Sequence, residues 1–472
     1  MRDVLHSDVL SADLLAEVCR LSLQFIAGTH SDKVVDTRPR SRSIDLQLPE
    51  TGMGSLAALA FYWEHYGACH TRSTGPRYLG FVTGGTTPAA VAGDWLVSIL
   101  DQNVATERHS IAAYIEAQAL AYVTDLLDLP AGLFQGLLTT GATAANLVGL
   151  ATAREWCGER EGVSVAQEGL HAAAPITVFT AAPHSSIIKS LGVLGLGQRN
   201  IVKVGCLPER EVYDLQALEQ ALEMCTTLGR VVVASAGTVN TGDFDNLIAI
   251  AQLCKQHGAW LHVDAAFGAF ARCSPAHAHW VRGLELADSI TADAHKWLNV
   301  PYDCGIALSR HIALQERAFG AEAPYVPMEG DLPAFMNRGI EQSRRYRALP
   351  VWMTLMAYGK SGYRDMITRH CGYVQRIAQW INTSGQYELL CKVRLNVLVF
   401  RHRSEDEPQP YETLNRRVLR RLNESGELYI TPTVYSGAFA LRLCISNWMT
   451  DAHDIERITA ALERCAEVLA TV

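Results

Sequence analysis

Asp288-Ser-Ile-Thr-Ala-Asp-Ala-His-Lys-Trp-Leu-Asn299 is a segment in which a short apolar run leads into a polar turn. The pattern predicts a strand over 289–292 and a tight turn that ends in His295, Lys296 and Trp297. Lysines usually lie on solvated faces, and a partly buried lysine loses some of its preference for charge, so its amine becomes a better nucleophile toward carbonyls. The segment alone leaves two interpretations open: Lys296 forms a Schiff base with a carbonyl-bearing cofactor, or it is a surface lysine in a loop.

A second apolar run, Trp260-Leu-His-Val-Asp264, predicts a strand that ends in an aspartate followed by small residues. Taken by itself, Asp264 is more simply explained as a strand-end cap or a turn residue. Pyridoxal 5'-phosphate (PLP), however, needs a carboxylate against its pyridinium nitrogen, because the protonated ring is the electron sink. An aspartate at the end of one strand and a lysine just past another can reach opposite ends of one ring. The pair Asp264 and Lys296 therefore predicts PLP as the cofactor.

The two segments HVDAAFGA and DSITADAHKWLNVPYDCG together resemble the group II PLP-dependent decarboxylases, and the similarity runs from about Leu48 to about Met449. That family includes the aromatic amino acid, histidine, glutamate and cysteine sulfinate decarboxylases. The resemblance implies a fold-type I α/β enzyme, similar to aspartate aminotransferase, with a mainly parallel sheet in a large domain and a smaller C-terminal α+β domain. We expect an N-terminal helical segment that packs in a dimer over 1–75, the large PLP-binding domain over 76–345 and the small domain over 346–472.

Composition narrows the class of protein. With 472 residues, 49% of them apolar, the chain is long enough for a large core and for more than one domain. The net charge of −8 and the lack of a long basic run do not indicate a nucleic-acid partner. No apolar stretch reaches the roughly 18 residues that span a bilayer, and the first residues lack the pattern of a signal peptide. The 12 cysteines form no CxxC pair, so we expect reduced cysteines in a cytoplasmic protein and no metal site.

Two loops rich in small residues are candidates for the walls of the site. The run 75–88 combines glycines with a proline, and the resembled family places its substrate side-chain pocket at this loop, so Phe81 and Thr83 are candidate pocket residues. A tight turn packed on the core explains either residue as readily. The other loop opens a helix with Ala142 and Thr143, where free backbone N–H groups can bind an anion. The resemblance assigns both to the cofactor phosphate, although capping also explains the threonine.

Other candidates come from the resemblance. His184 follows a proline at a predicted strand-to-helix turn, where the family stacks a histidine on the pyridine ring and where a cap is the alternative. Thr238 and Ala266 each follow a buried strand and are expected to contact the cofactor, together with His295, which stands next to the lysine and can assist proton transfers. Arg442, within a predicted strand, is a candidate for binding the substrate carboxylate, and a structural ion pair is the alternative.

Tyr325 lies in the irregular, proline-rich run 319–333, which is typical of a loop that closes over a site. In the resembled family a tyrosine here, often reaching the neighbouring subunit's site, protonates the substrate α-carbon after carbon dioxide leaves, and a phenol can donate that proton. We therefore expect a homodimer with a shared active site. The expected reaction is decarboxylation of an L-amino acid to the corresponding amine and carbon dioxide.

Competing interpretations stay open. Two alternatives are other reactions on the same fold: aldehyde-forming oxidative decarboxylation and transamination. A third is a different class of function, a catalytically inactive homologue that acts as an interaction protein. The presence of both Lys296 and Asp264 argues against the inactive homologue. Phe81, where the glutamate-type relatives carry an amide, favours an aromatic or apolar substrate side chain. Gly84 and Gly85 weaken that preference, since they are expected to leave the pocket roomy.

Overall fold

The computed structural model describes residues 8–35, 47–321, 332–403 and 411–470. Seven of the described strands form one large sheet: β1 (Gln135–Thr139), β2 (Ile176–Thr180), β3 (Ile201–Lys203), β4 (Gly229–Ser235), β5 (Trp260–Asp264), β6 (Ser289–Asp293) and β7 (Gly305–Ser309). Their order is β1-β7-β6-β5-β4-β2-β3. β7 is antiparallel to both of its neighbours, whereas the pairs from β6 to β3 are parallel. The predicted mainly parallel sheet of an α/β fold is confirmed.

Helices cover this sheet and precede it. They are α1 (Ala12–Ala27), α2 (Ser55–Tyr66), α3 (Pro88–Leu100), α4 (Ala112–Leu126), α5 (Ala142–Glu159), α6 (Val165–Glu168), α7 (Ser185–Val193), α8 (Leu215–Glu223), α9 (Leu247–His257) and α10 (Ile312–Phe319). α5 packs across β5, β6 and β7. β5 and β6 are buried along their whole lengths, as is usual for strands of a sheet covered on both faces. Within the described ranges, no helix is both long and apolar enough to cross a bilayer.

The C-terminal part forms a second, smaller sheet. A long helix, α11 (Ala348–Ser384), leads to it and is interrupted at Gly359, where φ is 56°. The elements that follow are β8 (Tyr387–Leu389), β9 (Val397–His402), α12 (Tyr411–Ser425), β10 (Thr431–Tyr435), β11 (Ala438–Cys444) and α13 (Ala452–Ala470). The strands pair antiparallel in the order β10-β11-β9-β8. This is an α+β arrangement, as expected for the C-terminal region.

α11 belongs to two hydrophobic cores. Its side chains up to Cys371 pack in the core of the large sheet, together with residues of α3 and α4. From Val374 onward they pack in a separate core with the small sheet, α12 and α13. We propose that the packing boundary between the two domains lies inside α11, between Cys371 and Val374, and therefore after the expected boundary at 345/346.

Candidate active site

A cavity of about 760 Å³ opens at the carboxyl edge of the large sheet. Loops that follow β1, β2, β4, β5 and β6 line one side, because the carboxyl ends of these strands meet at the same edge. The small domain contributes to the other side through Tyr429 and residues of β10 and β11. The predicted site residues that line this cavity are Phe81, Ala142, Thr143, His184, Thr238, Asp264, Ala266, His295, Lys296 and Arg442.

Two predicted residues are not in that lining. Tyr325 falls within 322–331, outside the described residues. Thr83 is only 6% exposed and lies behind Tyr302, whose hydroxyl is 3.2 Å from Thr83 Oγ1. Tyr302 lines the cavity in its place, with its ring centroid 4.3 Å from that of His295. Tyr302 was not predicted from the sequence, although it lies six residues after Lys296 in the quoted motif.

Lys296 is held in position by the residues around it in the turn after β6. Trp297 is fully buried, and its indole Nε1 donates to His370 Nδ1 at 2.9 Å. Asn299 donates from Nδ2 to the carbonyl of Trp297 at 2.9 Å. The lysine side chain is 21% exposed, and its Nζ lies 3.3 Å from Asp293 Oδ2. The turn thus presents a largely buried amine to the cavity at a fixed place.

Gly84 and Gly85 support the backbone and do not widen the pocket. A Cβ on Gly84 would lie 1.9 Å from the carbonyl oxygen of Lys296. A Cβ on Gly85, at φ 68°, would lie 2.5 Å from Asn447 Nδ2. Neither glycine lines the cavity. The expectation that they leave the pocket roomy is wrong, because the missing side chains let this loop pack against the lysine turn at Gly84 and against Asn447 at Gly85.

Asp264 ends a chain of buried hydrogen bonds. Its Oδ2 accepts from Asn146 Nδ2 at 3.0 Å, and its Oδ1 accepts from the backbone N–H of Ala266 at 3.2 Å. Asn146 Oδ1 in turn accepts from His262 Nε2 at 2.9 Å, and His262 Nδ1 accepts from Ser289 Oγ at 2.8 Å. Burial lowers the pKa of His262 to about 4. The ring is therefore neutral, which matches one donor and one acceptor nitrogen.

Asn146 and His262 were not predicted from the sequence. Each is fully buried, and the chain of hydrogen bonds continues to Trp260, whose indole Nε1 donates to Ser289 Oγ at 3.0 Å. The signal that could have found them is a polar side chain inside an apolar element: Asn146 among the small residues of α5, and His262 in the middle of β5. Buried polar groups are costly without partners, so such residues point to a network.

His184 lies at the start of α7. Its Nδ1 accepts from the backbone N–H of Ser186 at 3.2 Å and lies 2.7 Å from Ser186 Oγ. Burial lowers the pKa of His184, and the nearby charge of Asp264 opposes that effect. A neutral imidazole in a fixed orientation can lie against a flat cationic ring without repelling it.

The N-terminus of α5 offers free backbone donors next to the lysine turn. Gly141 precedes the helix at φ 146°, a conformation that favours glycine, and a Cβ there would make a tight contact of 3.1 Å with His295 Cε1. No side chain in the described part of the chain caps this helix end. The first N–H groups, including those of Ala142 and Thr143, are therefore available to an anion in the cavity.

Arg442 brings an unpaired donor to the opposite wall. The side chain is 4% exposed; its Nε donates to the carbonyl of Val239 at 2.6 Å and its Nη1 to the carbonyl of Phe81 at 2.8 Å. Its Nη2 is buried and has no hydrogen-bond partner among the described residues. Backbone carbonyls thus fix the guanidinium, which leaves one N–H edge that a carboxylate fits.

These features fit PLP. A largely buried lysine amine, a hydrogen-bonded aspartate, a neutral histidine ring and an uncapped helix N-terminus surround one cavity of sufficient size. Each matches a different part of the cofactor: the aldehyde, the ring nitrogen, the ring face and the phosphate. Fold and site together define a PLP-dependent enzyme of fold type I.

Comparison with known proteins identifies the family. The model of the pyridoxal-dependent decarboxylase conserved domain matches residues 66–403, and the chain belongs to this family. It is 26% identical over 446 residues to the aromatic-L-amino-acid decarboxylase of Bacillus atrophaeus, a match that covers 92% of this chain and 90% of that protein. It is 29% identical over 436 residues to the L-2,4-diaminobutyrate decarboxylase of Rhizobium meliloti, covering 90% and 84% of the two chains. The protein is a PLP-dependent carboxy-lyase that decarboxylates an amino acid.

A solved structure supports the same fold. The crystal structure of Oryza sativa TDC with PLP and tryptamine superposes with a TM-score of 0.89, covering 98% of this chain and 99% of that one. The sequence identity is 22%, so this likeness concerns the fold. The expected fold-type I architecture is confirmed.

Proposed function

We propose that this enzyme converts an L-amino acid with an aromatic or apolar side chain to the amine and carbon dioxide, at a site completed by a second copy of the chain. The observation that carries the proposal is the division of the cavity. One side holds the lysine and the hydrogen-bonded aspartate, and the other holds aromatic rings around the buried guanidinium of Arg442.

On the cofactor side each residue has one task. When bound, PLP would supply a protonated ring that acts as an electron sink during loss of the carboxylate. Lys296 would bond to the cofactor aldehyde, and Asp264 would hold the proton on the ring nitrogen. His184 would fix the plane of the ring. The backbone N–H groups of Ala142 and Thr143 would bind the phosphate.

On the substrate side the wall is aromatic. Phe81 is 58% exposed and Tyr302 is 62% exposed, and both line the cavity with Tyr429. The two acidic residues that line the cavity within the described ranges lie at the ends of β5 and β6, on the cofactor side. Among the described residues of this wall, a positively charged substrate side chain therefore finds no counter-charge. Arg442 Nη2 is the donor we assign to the substrate carboxylate.

Tyr325 is the residue we assign to the proton that replaces the lost carboxylate. It lies outside the described residues, and support for its role comes from its place in the proline-flanked run that resembles the family's closing loop. A phenol that donates to the α-carbon yields the amine. Without that donor we expect an aldehyde by reaction with oxygen.

A second copy of the chain is the partner we propose. α2 contains no buried residue, although it carries Leu56 and Phe61, which are 47% and 46% exposed. α3 exposes Trp95 and Ile99 to 45% and 54%. A helix gains most of its stability from burying an apolar face, so these helices need a covering surface. Symmetric dimers are the commonest way to provide one.

A reducing compartment, the cytoplasm, is the location we propose. The cysteines of the chain all lie in described residues and none forms a disulfide. Burial raises the pKa of several of the thiols, among them Cys157, to about 12. Such thiols are core side chains that stay protonated, as is common in cytosolic proteins.

The experiment that tests the reaction is incubation of the PLP-loaded protein with each common amino acid, with products identified by mass spectrometry. We expect an amine from an aromatic or apolar amino acid. Lys296→Ala should give none, whereas Lys255→Ala, at an exposed position on α9, should behave as wild type.

Other products would change the proposal in defined ways. A keto acid or an aldehyde as main product would replace simple decarboxylation by transamination or oxidative decarboxylation. An amine from a diamino acid would contradict the assignment of the aromatic wall. A protein that binds no PLP and forms no product would be an inactive homologue. Sedimentation of a monomer at micromolar concentration would contradict the proposed dimer.

A further inference from the structure

Asp293, the last residue of β6, is a buried carboxylate that lies against both functional residues of the lysine turn. It is 2% exposed, and its Oδ2 lies 3.1 Å from His295 Nε2 and 3.3 Å from Lys296 Nζ. Its Oδ1 is buried and has no hydrogen-bond partner among the described residues. Among the described residues, the His295 and Lys296 nitrogens are therefore the polar side-chain groups that contact this carboxylate. The sequence analysis assigned this aspartate no role.

The backbone fixes the proton on His295. The ring Nδ1 accepts from the backbone N–H of Cys304 at 3.1 Å, and the backbone N–H of His295 donates to the carbonyl of Cys304 at 3.0 Å. A nitrogen that accepts carries no proton, so the proton of the neutral ring is on Nε2, which faces Asp293. The antiparallel register of Asp293 with Gly305 holds these groups together.

We propose that Asp293 is a positioning residue, whose carboxylate holds the Lys296 nitrogen in place at the cavity, and that His295 is a fixed donor and not a proton carrier. This deepens the proposed function and rests on it, since Lys296 must be the residue that bonds to PLP. It revises the expectation that His295 assists proton transfer. His295 Nε2 already holds a proton, and Nδ1 cannot take one without losing the Cys304 bond.

Other titratable or charged groups close to Asp293 and Lys296 also affect the charge at this part of the cavity. Burial raises the pKa of the Cys304 thiol, so that group stays neutral. An opposite charge within about 4–6 Å favours the charged form of an amine, and a neutral amide in its place does not. The other titratable or charged groups that line the cavity among the described residues are His184, Asp264, Tyr302, Tyr429 and Arg442.

The first test is the pH dependence of the visible absorbance of PLP-loaded Asp293→Asn. Loss of the negative charge should move the midpoint of the absorbance change to lower pH by about one unit or more. The matched control is Asp288→Asn, since Asp288 immediately precedes β6 and its Oδ1 lies 2.9 Å from His311 Nε2, away from the lysine. We expect the control to leave the midpoint in place. An unchanged midpoint in Asp293→Asn, with the visible band present, would overturn the role of Asp293.

The second test concerns His295 and stands even where Asp293→Asn fails to fold. His295→Asn retains an acceptor near the Nδ1 position but cannot titrate. We expect turnover to fall by the same factor at every pH, so that the pH profile keeps its shape. Loss of one limb of the profile, with a fall of roughly 10²–10⁴ on that side, would make His295 a proton carrier and overturn the inference. Absence of the visible band in wild type would instead refute the proposed function.

Discussion

The two sides of the cavity differ in how far the chain satisfies its own polar groups. On the cofactor side, Asp264, Asn146 and His262 have hydrogen-bond partners for their buried atoms and form one relay, whereas Oδ1 of Asp293 has no partner among the described residues. On the substrate side, Arg442 keeps a buried N–H edge without a partner among the described residues, and Phe81 is more than half exposed. The comparison shows a cofactor side that is preorganised within one chain and a substrate side that needs a ligand and a covering surface.

The largest effect is expected from Asp264→Asn, on the cofactor side of the cavity. An amide can still bond to Asn146, but it cannot hold a proton on the pyridine nitrogen. We expect turnover to fall by roughly 10²–10⁴. Steady-state kinetics at saturating PLP measure this, and absorbance of the bound cofactor checks that the site is filled. Turnover within tenfold of wild type would show that Asp264 and its hydrogen bonds stabilise the fold but are not needed for the reaction.

The relay also predicts a pH effect on stability. Burial lowers the pKa of His262 to about 4, below the ordinary value of 6.5. Between these values the unfolded chain takes up a proton that the folded protein refuses, so wild type loses stability as the pH falls from about 6.5 to about 4. The difference is worth about 3 kcal/mol. His262→Gln removes this titration. Over that pH range, the free energy of unfolding of the variant, measured in urea, should therefore fall by about 3 kcal/mol less than that of wild type.

His370 is the matched control for this pH effect. Burial lowers the pKa of His370 to about 3, and its Nδ1 accepts from Trp297 rather than from the relay. His370→Gln should therefore reduce the acid sensitivity in a similar way. Weaker PLP binding than in wild type is expected from His262→Gln, because the glutamine no longer fixes Asn146. A PLP affinity equal to that of wild type would show that the relay does not support cofactor binding.

Arg442→Gln tests the substrate side of the cavity and should have a smaller effect on catalysis than Asp264→Asn. Loss of a charge-assisted hydrogen bond to the substrate carboxylate should raise KM by about tenfold to a hundredfold, with a smaller change in kcat. Inhibition by the product amine is the control, since that molecule has no carboxylate and should bind as well as before. An equal loss of amine binding would show that Arg442 only holds the loops of Val239 and Phe81 in place.

The strands of the large sheet could be predicted because buried parallel strands are continuous apolar runs. β5 (Trp260–Asp264) has the predicted bounds, and β6 extends one residue further than predicted. β10 (Thr431–Tyr435) was not predicted, because it contains a proline and polar residues and becomes a strand only through its pairing with β11. α13 was not predicted either.

The site residues likewise include some that could be predicted from the local sequence and some that could not. Lys296 and Asp264 are recognisable locally, since each follows a short apolar strand. Asn146 and His262 are separated by 116 positions, and only the packing of α5 on β5 brings them together. The reason for Gly84 is equally distant in sequence, because the carbonyl that excludes a side chain there belongs to Lys296. The roles of Asn146, His262 and Gly84 depend on tertiary packing, which cannot be predicted from a local sequence pattern.

Tyr302→Phe should give the smallest effect, because it removes only one hydroxyl from the substrate side of the cavity. The hydroxyl of Tyr302 bonds to Thr83 Oγ1 at 3.2 Å, whereas its ring forms the wall, so removal of the hydroxyl should cost about 0.5–1 kcal/mol in substrate binding, a rise in KM of a few fold. Thr83→Val removes the same bond from the other side and should have the same effect. Because each change breaks one shared contact, the double variant should be no worse than either single one. Additive losses would show that Thr83 and Tyr302 act separately and that this side of the cavity is held by more than the one bond.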